Sequence, residues 1–252
     1  MSVSNHDTNK PLFREPAGSR RFVDLYLAVR NSEKRLYGDE EVLWLPDVGK
    51  DNRYRKEWRI RKRSAQRFCD YLKQKRRPLR ILEVGCGNGW LSHRLAGIKG
   101  AQVLGIDINL PELEQAARVF ALQENLQFAC RDLGAQAMLK EKFDIVVFAA
   151  SLQYFSSVSS ILGTALQVLD KNGEVHIIDT HFYTPAEAIQ AGKRSEAYFR
   201  SIGVEEMKQF YFQHSFTQIH PFRYEVLYDP HSFIHKIINR HPFHWIRIRG
   251  QQ

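Results

Sequence analysis

Cysteine is scarce in this chain. Cys69, Cys86 and Cys130 are its only three in 252 residues, and they form no CxxC pair, no Cys/His cluster with zinc spacing and no even disulfide set. A disulfide-held miniprotein and a structural zinc site are thereby excluded, no metal is expected, and free thiols suit a reducing cytoplasm. Long hydrophobic runs are also missing. The longest, around FDIVVFAASL, is about half of what a bilayer-crossing helix requires. The opening stretch MSVSNHDTNKPLFREPAGSR has no apolar core for a signal peptide, so neither secretion nor a membrane span is expected. Internal repeats and low-complexity tracts are absent as well.

Acidic residues are outnumbered, 28 against 37 Lys and Arg, for a formal net charge of +9. The imbalance is local. Between Arg53 and Arg80 stand 13 basic and 2 acidic residues, which leaves 24 basic and 26 acidic elsewhere. A helix is predicted from about Tyr54 to Gln74, because Trp58, Ala65, Phe68, Cys69 and Leu72 share one face at 3.6-residue spacing. Arg59, Lys62, Arg63, Gln66 and Lys73 fall mostly off that face. Three readings of this segment stay open: a solvated helix face, attraction of an anionic small substrate, or docking on the phosphates of RNA.

Upstream, residues 1–20 read as a polar arm and FVDLYLAVRN as a short helix. Downstream of Pro78 the pattern becomes short apolar runs alternating with helix-length polar ones. RILEV, AQVLGID, LQFAC, FDIVVFA and EVHIID read as strands, with helices expected near 89–98, 111–123, 133–140 and 157–169. Strands apolar on both sides and separated by helices predict a mostly parallel sheet built of right-handed crossovers. Thr184-Pro185-Ala186-Glu187 has the form of an N-cap, a Pro at the first helical position and a capping-box Glu, so a helix should run from there to near Gly203. RYEVLY and HWIRIR read as two late strands.

The stretch that carries chemistry is Leu82-Glu83-Val84-Gly85-Cys86-Gly87-Asn88-Gly89-Trp90-Leu91. A buried strand runs through a glycine-rich turn into a helix, whose first N–H groups are unpaired and open to a ligand. The following strand ends in Asp107, 22 residues past Gly85, where folds of this kind hold a ribose diol. The third strand is followed by Arg131-Asp132-Leu133, a further carboxylate at the same sheet edge. A dinucleotide fingerprint would need a small residue at position 90, which is Trp90. Glu83 before the first glycine suits a cationic ligand better than a diphosphate.

With FDIVVFAASLQYF following in order, this set resembles the class I S-adenosylmethionine-dependent methyltransferases, over about residues 78–180. The resemblance implies a Rossmann-like, doubly wound α/β sheet of about seven strands, mostly parallel with the last antiparallel. An N-terminal helical extension and a helical insertion before the last two strands would complete it. It also implies the S-adenosylmethionine site. Glu83, Gly85 and Gly87 would face the methionine part, with Cys86, Asn88 and Gly89 in the same turn. Asp107, beside Ile108, would take the ribose hydroxyls, Asp132 and Leu133 the adenine. Ala149 would lie near the amino-acid end and Leu152 in a pocket position after the fourth strand. The expected division is an arm and cap over 1–52 and the catalytic domain over 53–252, with the cofactor core at about 78–180 and an acceptor-side insertion at about 181–220.

The acceptor is less legible. The turn after the fourth strand reads Ala150-Ser151-Leu152-Gln153-Tyr154, without the Asp/Asn-Pro-Pro-aromatic sequence of enzymes that methylate base amines, and resembles the small-molecule branch. Methyl transfer to an oxygen, less readily a nitrogen, of a small and potentially anionic metabolite is expected. An RNA methyltransferase or a noncatalytic binding protein are the alternatives. For a general base, His181 follows the fifth strand directly and His214 lies in the insertion. Tyr154 and Tyr183 read as pocket wall, and His220, His231, His235, His241 and His244 show no ligand spacing. The aromatics gathered after residue 181 read mainly as core.

Overall fold

The structure, a computed structural model, describes residues 15–134, 140–232 and 241–250. Most of the expected N-terminal arm (1–14), the middle of the expected helix 133–140 and the stretch 233–240 with His235 lie outside the described residues.

Seven helices and nine strands are described. Three helices precede the sheet: α1 (Arg20–Ser32), α2 (Asp39–Trp44) and α3 (Arg55–Lys73). Then come β1 (Leu79–Val84), α4 (Trp90–Ala96), β2 (Ala101–Asp107), α5 (Leu110–Val119), β3 (Leu126–Cys130), β4 (Phe143–Ala149), α6 (Val158–Gln167) and β5 (Leu169–Thr180). After a two-residue β6 (Phe182–Tyr183), α7 (Pro185–Ser201) leads to β7 (His214–Ser215), β8 (Tyr224–Tyr228) and β9 (His244–Arg249). The main sheet has the order β3-β2-β1-β4-β5-β9-β8. β1 to β5 pair in parallel, and β9 runs antiparallel to both of its neighbours. The expected seven-stranded, doubly wound sheet is therefore observed.

Alternation along each strand explains the layers, because successive side chains leave a strand on opposite faces. Leu79, Ile81, Val103, Ile145 and Val147 join α3, α4 and α5 in one core. Leu82, Val84, Ile106, Val146 and Phe148 meet Val158, Ile161 and Leu162 of α6 in the other. A third, smaller cluster joins Leu25 and Val29 of α1 to Phe199 of α7 and to Val204 and Met207. The capping box predicted at Thr184 is formed: Thr184 Oγ1 receives the Glu187 N–H, and Glu187 accepts the Thr184 N–H at 2.8 Å.

The basic helix packs as its periodicity predicts. Trp58, Ala65, Phe68, Cys69 and Leu72 are buried, whereas Arg59, Lys62, Arg63, Gln66 and Lys73 are exposed. A buried polar network fastens it to the sheet. The Tyr71 hydroxyl donates to Glu174 at 2.8 Å and accepts from Arg247 at 2.7 Å, while Lys75 pairs with Glu174 at 2.7 Å. Burial alone would raise the Glu174 carboxyl, but hydrogen bonds from His176, Lys75 and Tyr71 hold it well below the usual range.

We expect Phe68→Ala, at a fully buried ring, to destabilise the fold by about 3–5 kcal/mol. Arg59→Ala should stay within about 0.5 kcal/mol. Urea unfolding of both variants checks the pair, and a large loss at Arg59 would mean that the exposed face has a structural role.

Candidate active site

The crossover between β1 and its two parallel neighbours, β2 and β4, opens a crevice at the carboxyl end of the sheet, the position where open α/β sheets bind ligands. β1 enters it through the glycine turn. Gly85 and Cys86 donate their N–H groups to the Ile106 carbonyl at 2.8 and 3.1 Å, which clamps the turn to the end of β2. Gly85 has φ +74°, and a Cβ there would stand 2.5 Å from that of Ser151. The close approach is used: the Ser151 hydroxyl donates to the Val84 carbonyl at 2.6 Å. At Gly89, also at positive φ, a Cβ would meet the Phe128 ring at 2.5 Å. Gly89 therefore serves the seating of α4 against Phe128.

Three acidic side chains surround the turn. Asp107 accepts the Gly87 N–H on Oδ2 and the Asn109 N–H on Oδ1, each at 2.8 Å. Glu83 is 2% exposed and accepts from the Ser92 hydroxyl at 2.5 Å. Glu112, one turn into α5, accepts from the Asn109 amide at 3.0 Å. Burial pushes the Glu83 carboxyl up to about 8 and that of Glu112 to about 7, and raises Asp107 as well. Among the described residues no ion pair joins any of the three to a basic side chain. Arg30 acts on Glu112 from a distance, but buried carboxylates without a paired cation are costly when ionised, so this floor suits a ligand that brings positive charge and hydroxyl donors. The residues present fit S-adenosylmethionine in that respect.

Two cavities flank the turn. The larger, of about 480 Å³, is lined by Glu83, Gly85, Cys86, Gly87, Asn88 and Ala149. The other, of about 310 Å³, is lined by Gly85, Gly87, Asp107, Ile108, Asp132 and Leu133. Tyr26, Glu112, Ala150 and Tyr154 border both. Ten of the twelve residues implied by the resemblance thus meet along one crevice. Gly89 and Leu152 do not: Leu152 is fully buried in the α6-side core.

Neither candidate base lines either of these two cavities. His214 is buried, with Nε2 at 3.0 Å from the Leu152 carbonyl, in β7 beside β6. Burial lowers its pKa. The exposed His181 packs its ring edge-on against Phe243, with centroids 4.5 Å apart. A place at the end of a strand did not fix which way these side chains point. Tyr154 is pocket wall as expected.

Sequence reading expected a cap over 1–52 but named none of its lining residues. Tyr26, Val29, Arg30 and Glu33 of α1 and its end line the larger cavity, with Arg35, Glu57, Trp58 and Arg61. The signal was present: positions 26, 29, 30 and 33 share one helical face, and that face mixes an aromatic with charge. Of the 13 basic residues between Arg53 and Arg80, only Arg61 reaches this cavity. Arg55, Arg59, Lys62, Arg63 and Arg67 line a separate outer groove with Asp47 and Asp70.

Comparison with known proteins agrees with this geometry. A family profile described as a methyltransferase domain matches residues 75–219. The malonyl-[acyl-carrier protein] O-methyltransferase of Acetivibrio thermocellus is 29% identical over 137 residues, 54% of this chain and 48% of that protein. The ubiquinone biosynthesis O-methyltransferase of Ruegeria sp. is 35% identical over 139 residues, 52% of this chain and 54% of its own. The chain spans about half the length of these curated relatives. In fold it is similar to the magnesium protoporphyrin IX methyltransferase of Synechocystis, solved with bound SAH, at a TM-score of 0.60 and 18% identity, over 92% of this chain and 100% of that one.

The Glu83 shift has a stability consequence. A carboxyl raised in the folded state keeps a proton that the unfolded chain releases, so its contribution is full below about pH 4.5 and is lost as pH rises through about 8. Without ligand, Tm should decline between pH 5 and 8.5, and Glu83→Gln should decline less steeply. Equal slopes would show that Glu83 is ionised throughout.

Proposed function

The chain belongs to the methyltransferase-domain family, and from that premise we propose that it transfers a methyl group from S-adenosylmethionine to an oxygen of a small metabolite. The observation that carries this reading is the group of buried carboxylates, Glu83, Asp107 and Glu112, set around one glycine turn, with Arg30 as the one cation acting on Glu112 and no ion pair to any of the three among the described residues. The printed activities of the two O-methyltransferase relatives support oxygen as the acceptor atom.

When bound, S-adenosylmethionine would supply an electrophilic methyl to the acceptor oxygen, with S-adenosylhomocysteine as the leaving group and the oxygen's proton passing to solvent. The protein's work is then positioning and charge. Glu83 and the turn from Gly85 to Asn88 hold the methionine end. Asp107 takes the ribose hydroxyls, since a carboxylate has about four acceptor sites and two are engaged with the Gly87 and Asn109 N–H groups. Asp132, anchored by the Gly134 N–H at 2.8 Å, and Leu133 border the adenine end. Ala149, Gln153 and Tyr154 line the cavity where methyl and acceptor meet.

In this reading α1 and the segment 181–220 form the acceptor side, while Pro16 to Ser19, before α1, border the ribose and adenine cavity. The groove on the outer face of α3 shares no residue with either cavity, so no observation favours RNA docking for the reaction. Among the described residues no helix is long and apolar enough to cross a membrane. The free, buried thiols Cys69, Cys86 and Cys130 support a reducing, cytoplasmic setting.

Calorimetric titration with S-adenosylmethionine and S-adenosylhomocysteine tests the assignment. Both should bind, and Asp107→Asn should bind roughly ten- to hundredfold more weakly, the loss of about 1.5–3 kcal/mol of charge-assisted hydrogen bonding. Unchanged affinity in that variant would overturn the assignment. A cationic ligand favours the ionised carboxylates. S-adenosylmethionine affinity should therefore rise with pH to about 8 with proton release near pH 7, given Glu83 at about 8 and Glu112 at about 7. Heats that do not depend on the buffer's ionisation enthalpy would contradict this.

A further inference from the structure

The roof of the larger cavity carries a charge pattern opposite to its floor. Arg30, Arg35, Arg61 and Arg194 line it, with Glu33 and Glu57 on the same side. Glu57 is engaged by two of them, accepting from Arg35 Nη2 at 2.6 Å and from Arg61 Nε at 3.0 Å. Glu33 is spread thinly. Its Oε2 lies 3.6 Å from Arg30 and 3.7 Å from Arg35, beyond hydrogen-bond reach, while its Oε1 accepts from the Tyr198 hydroxyl at 2.6 Å.

Two guanidiniums keep donors free. Arg30 is half-buried, with Glu33 and Glu112 acting on its charge, and among the described residues it makes one hydrogen bond, to the Tyr26 hydroxyl at 2.8 Å, out of five N–H groups in the fork. Arg194, exposed at the cavity from α7, makes no hydrogen bond or ion pair among the described residues. Four arginines and the four carboxylates Glu33, Glu57, Glu83 and Glu112 line this cavity. With the carboxylates ionised these charges cancel. Bound S-adenosylmethionine, a zwitterionic amino acid carrying one sulfonium, adds a net positive charge. The Asp107 carboxylate of the adjoining cavity offsets that charge, so it is the free guanidinium donors of Arg30 and Arg194 that call for an anionic acceptor.

The walls add shape. Tyr26 and Tyr154 meet edge-on with centroids 5.7 Å apart, as do Tyr154 and Tyr211, and Trp58 lies in the same cavity. Edge-on aromatic surfaces of this kind receive a flat ring well.

We propose that the methyl acceptor is a ring-bearing carboxylic acid whose carboxylate is held by Arg30 and Arg194. This rests on the methyltransferase reading above. It concerns binding of the acceptor alone, with the guanidinium forks as paired donors to the two carboxylate oxygens.

The test uses the full chain saturated with S-adenosylhomocysteine and titrated with benzoate and with its neutral analogue benzamide. Benzoate should bind at least tenfold more tightly than benzamide. Arg30→Gln, and separately Arg194→Gln, should each weaken benzoate at least tenfold while S-adenosylhomocysteine affinity stays within about twofold. Arg194 is exposed, so its variant keeps the test decisive if Arg30→Gln fails to fold. Equal binding of the two probes, or binding of neither beside normal S-adenosylhomocysteine binding, overturns the proposal. So does an Arg30→Gln variant that loses S-adenosylhomocysteine but not 5′-methylthioadenosine, because the arginine would then read the cofactor's own carboxylate. Failure of the unaltered protein to bind S-adenosylhomocysteine would remove the cofactor assignment, and this inference with it.

Discussion

The rest of the site depends on how the end of β1 is tied to the end of β2. Three backbone donors of the glycine turn are consumed by that tie: Gly85 and Cys86 on the Ile106 carbonyl and Gly87 on the Asp107 carboxylate. The bonds hold the turn open beside the sheet's edge and leave Glu83 beneath it, in contact with Ser92 and shielded from water. Asp107 has a double role as a result. It orders the loop that would cradle a ligand and presents its remaining lone pairs to the same ligand, so loop geometry and ligand recognition cannot be varied separately at this position.

The roof is built by different means. α1 shares no strand pairing with the sheet and is held by an apolar clasp, in which Leu25 and Val29 pack against Phe199, Val204 and Met207. Tyr154, on the turn after β4, touches Phe22, Tyr26 and Tyr211, so the sheet edge and both roof segments meet at one ring. Elements that rest on a few apolar contacts open more readily than a seven-stranded sheet. The larger cavity is thus bordered by α1 and α7 above the sheet edge, and the second by Pro16 to Ser19 and Phe22 above Asp107 and Asp132.

This division explains what could be read from the sequence. The strands, the helix boundaries and the turn from Glu83 to Gly89 are local patterns: apolar alternation, capping residues, glycines where φ must be positive. Asp107 and Asp132 were legible because a strand's length fixes where its end falls. Arg30, Glu33, Arg35 and Glu57 were not, since their meeting depends on how α1 lies against α3 and α7, contacts distant in sequence. Glu112 gave only the signal of a helix-start acid after Asn109. His181 and His214 show the converse. Their chain positions lie near the sheet edge, but one ring is buried against the Leu152 carbonyl and the other lies outside against Phe243. The basic stretch Arg53–Arg80 was the loudest compositional feature, yet it delivers a single basic residue, Arg61, to the cavity, beside Glu57 and Trp58.

The opposed signs of floor and roof also bear on turnover. In a partly buried cavity a charge is felt more strongly than in water, so an acidic floor and a basic roof sort ligands by sign as well as shape. Under the proposed reaction the sulfur loses its positive charge when the methyl leaves. Glu83 and Glu112, with pKa values near 8 and 7 in the ligand-free protein, then lose part of the field that kept them ionised and take up protons more easily. If the acceptor is a hydroxylated acid, its carboxylate persists after transfer and Arg30 and Arg194 still hold it. Release of the methylated product would then depend on movement of α1 or α7, because no charge is lost on that side of the cavity.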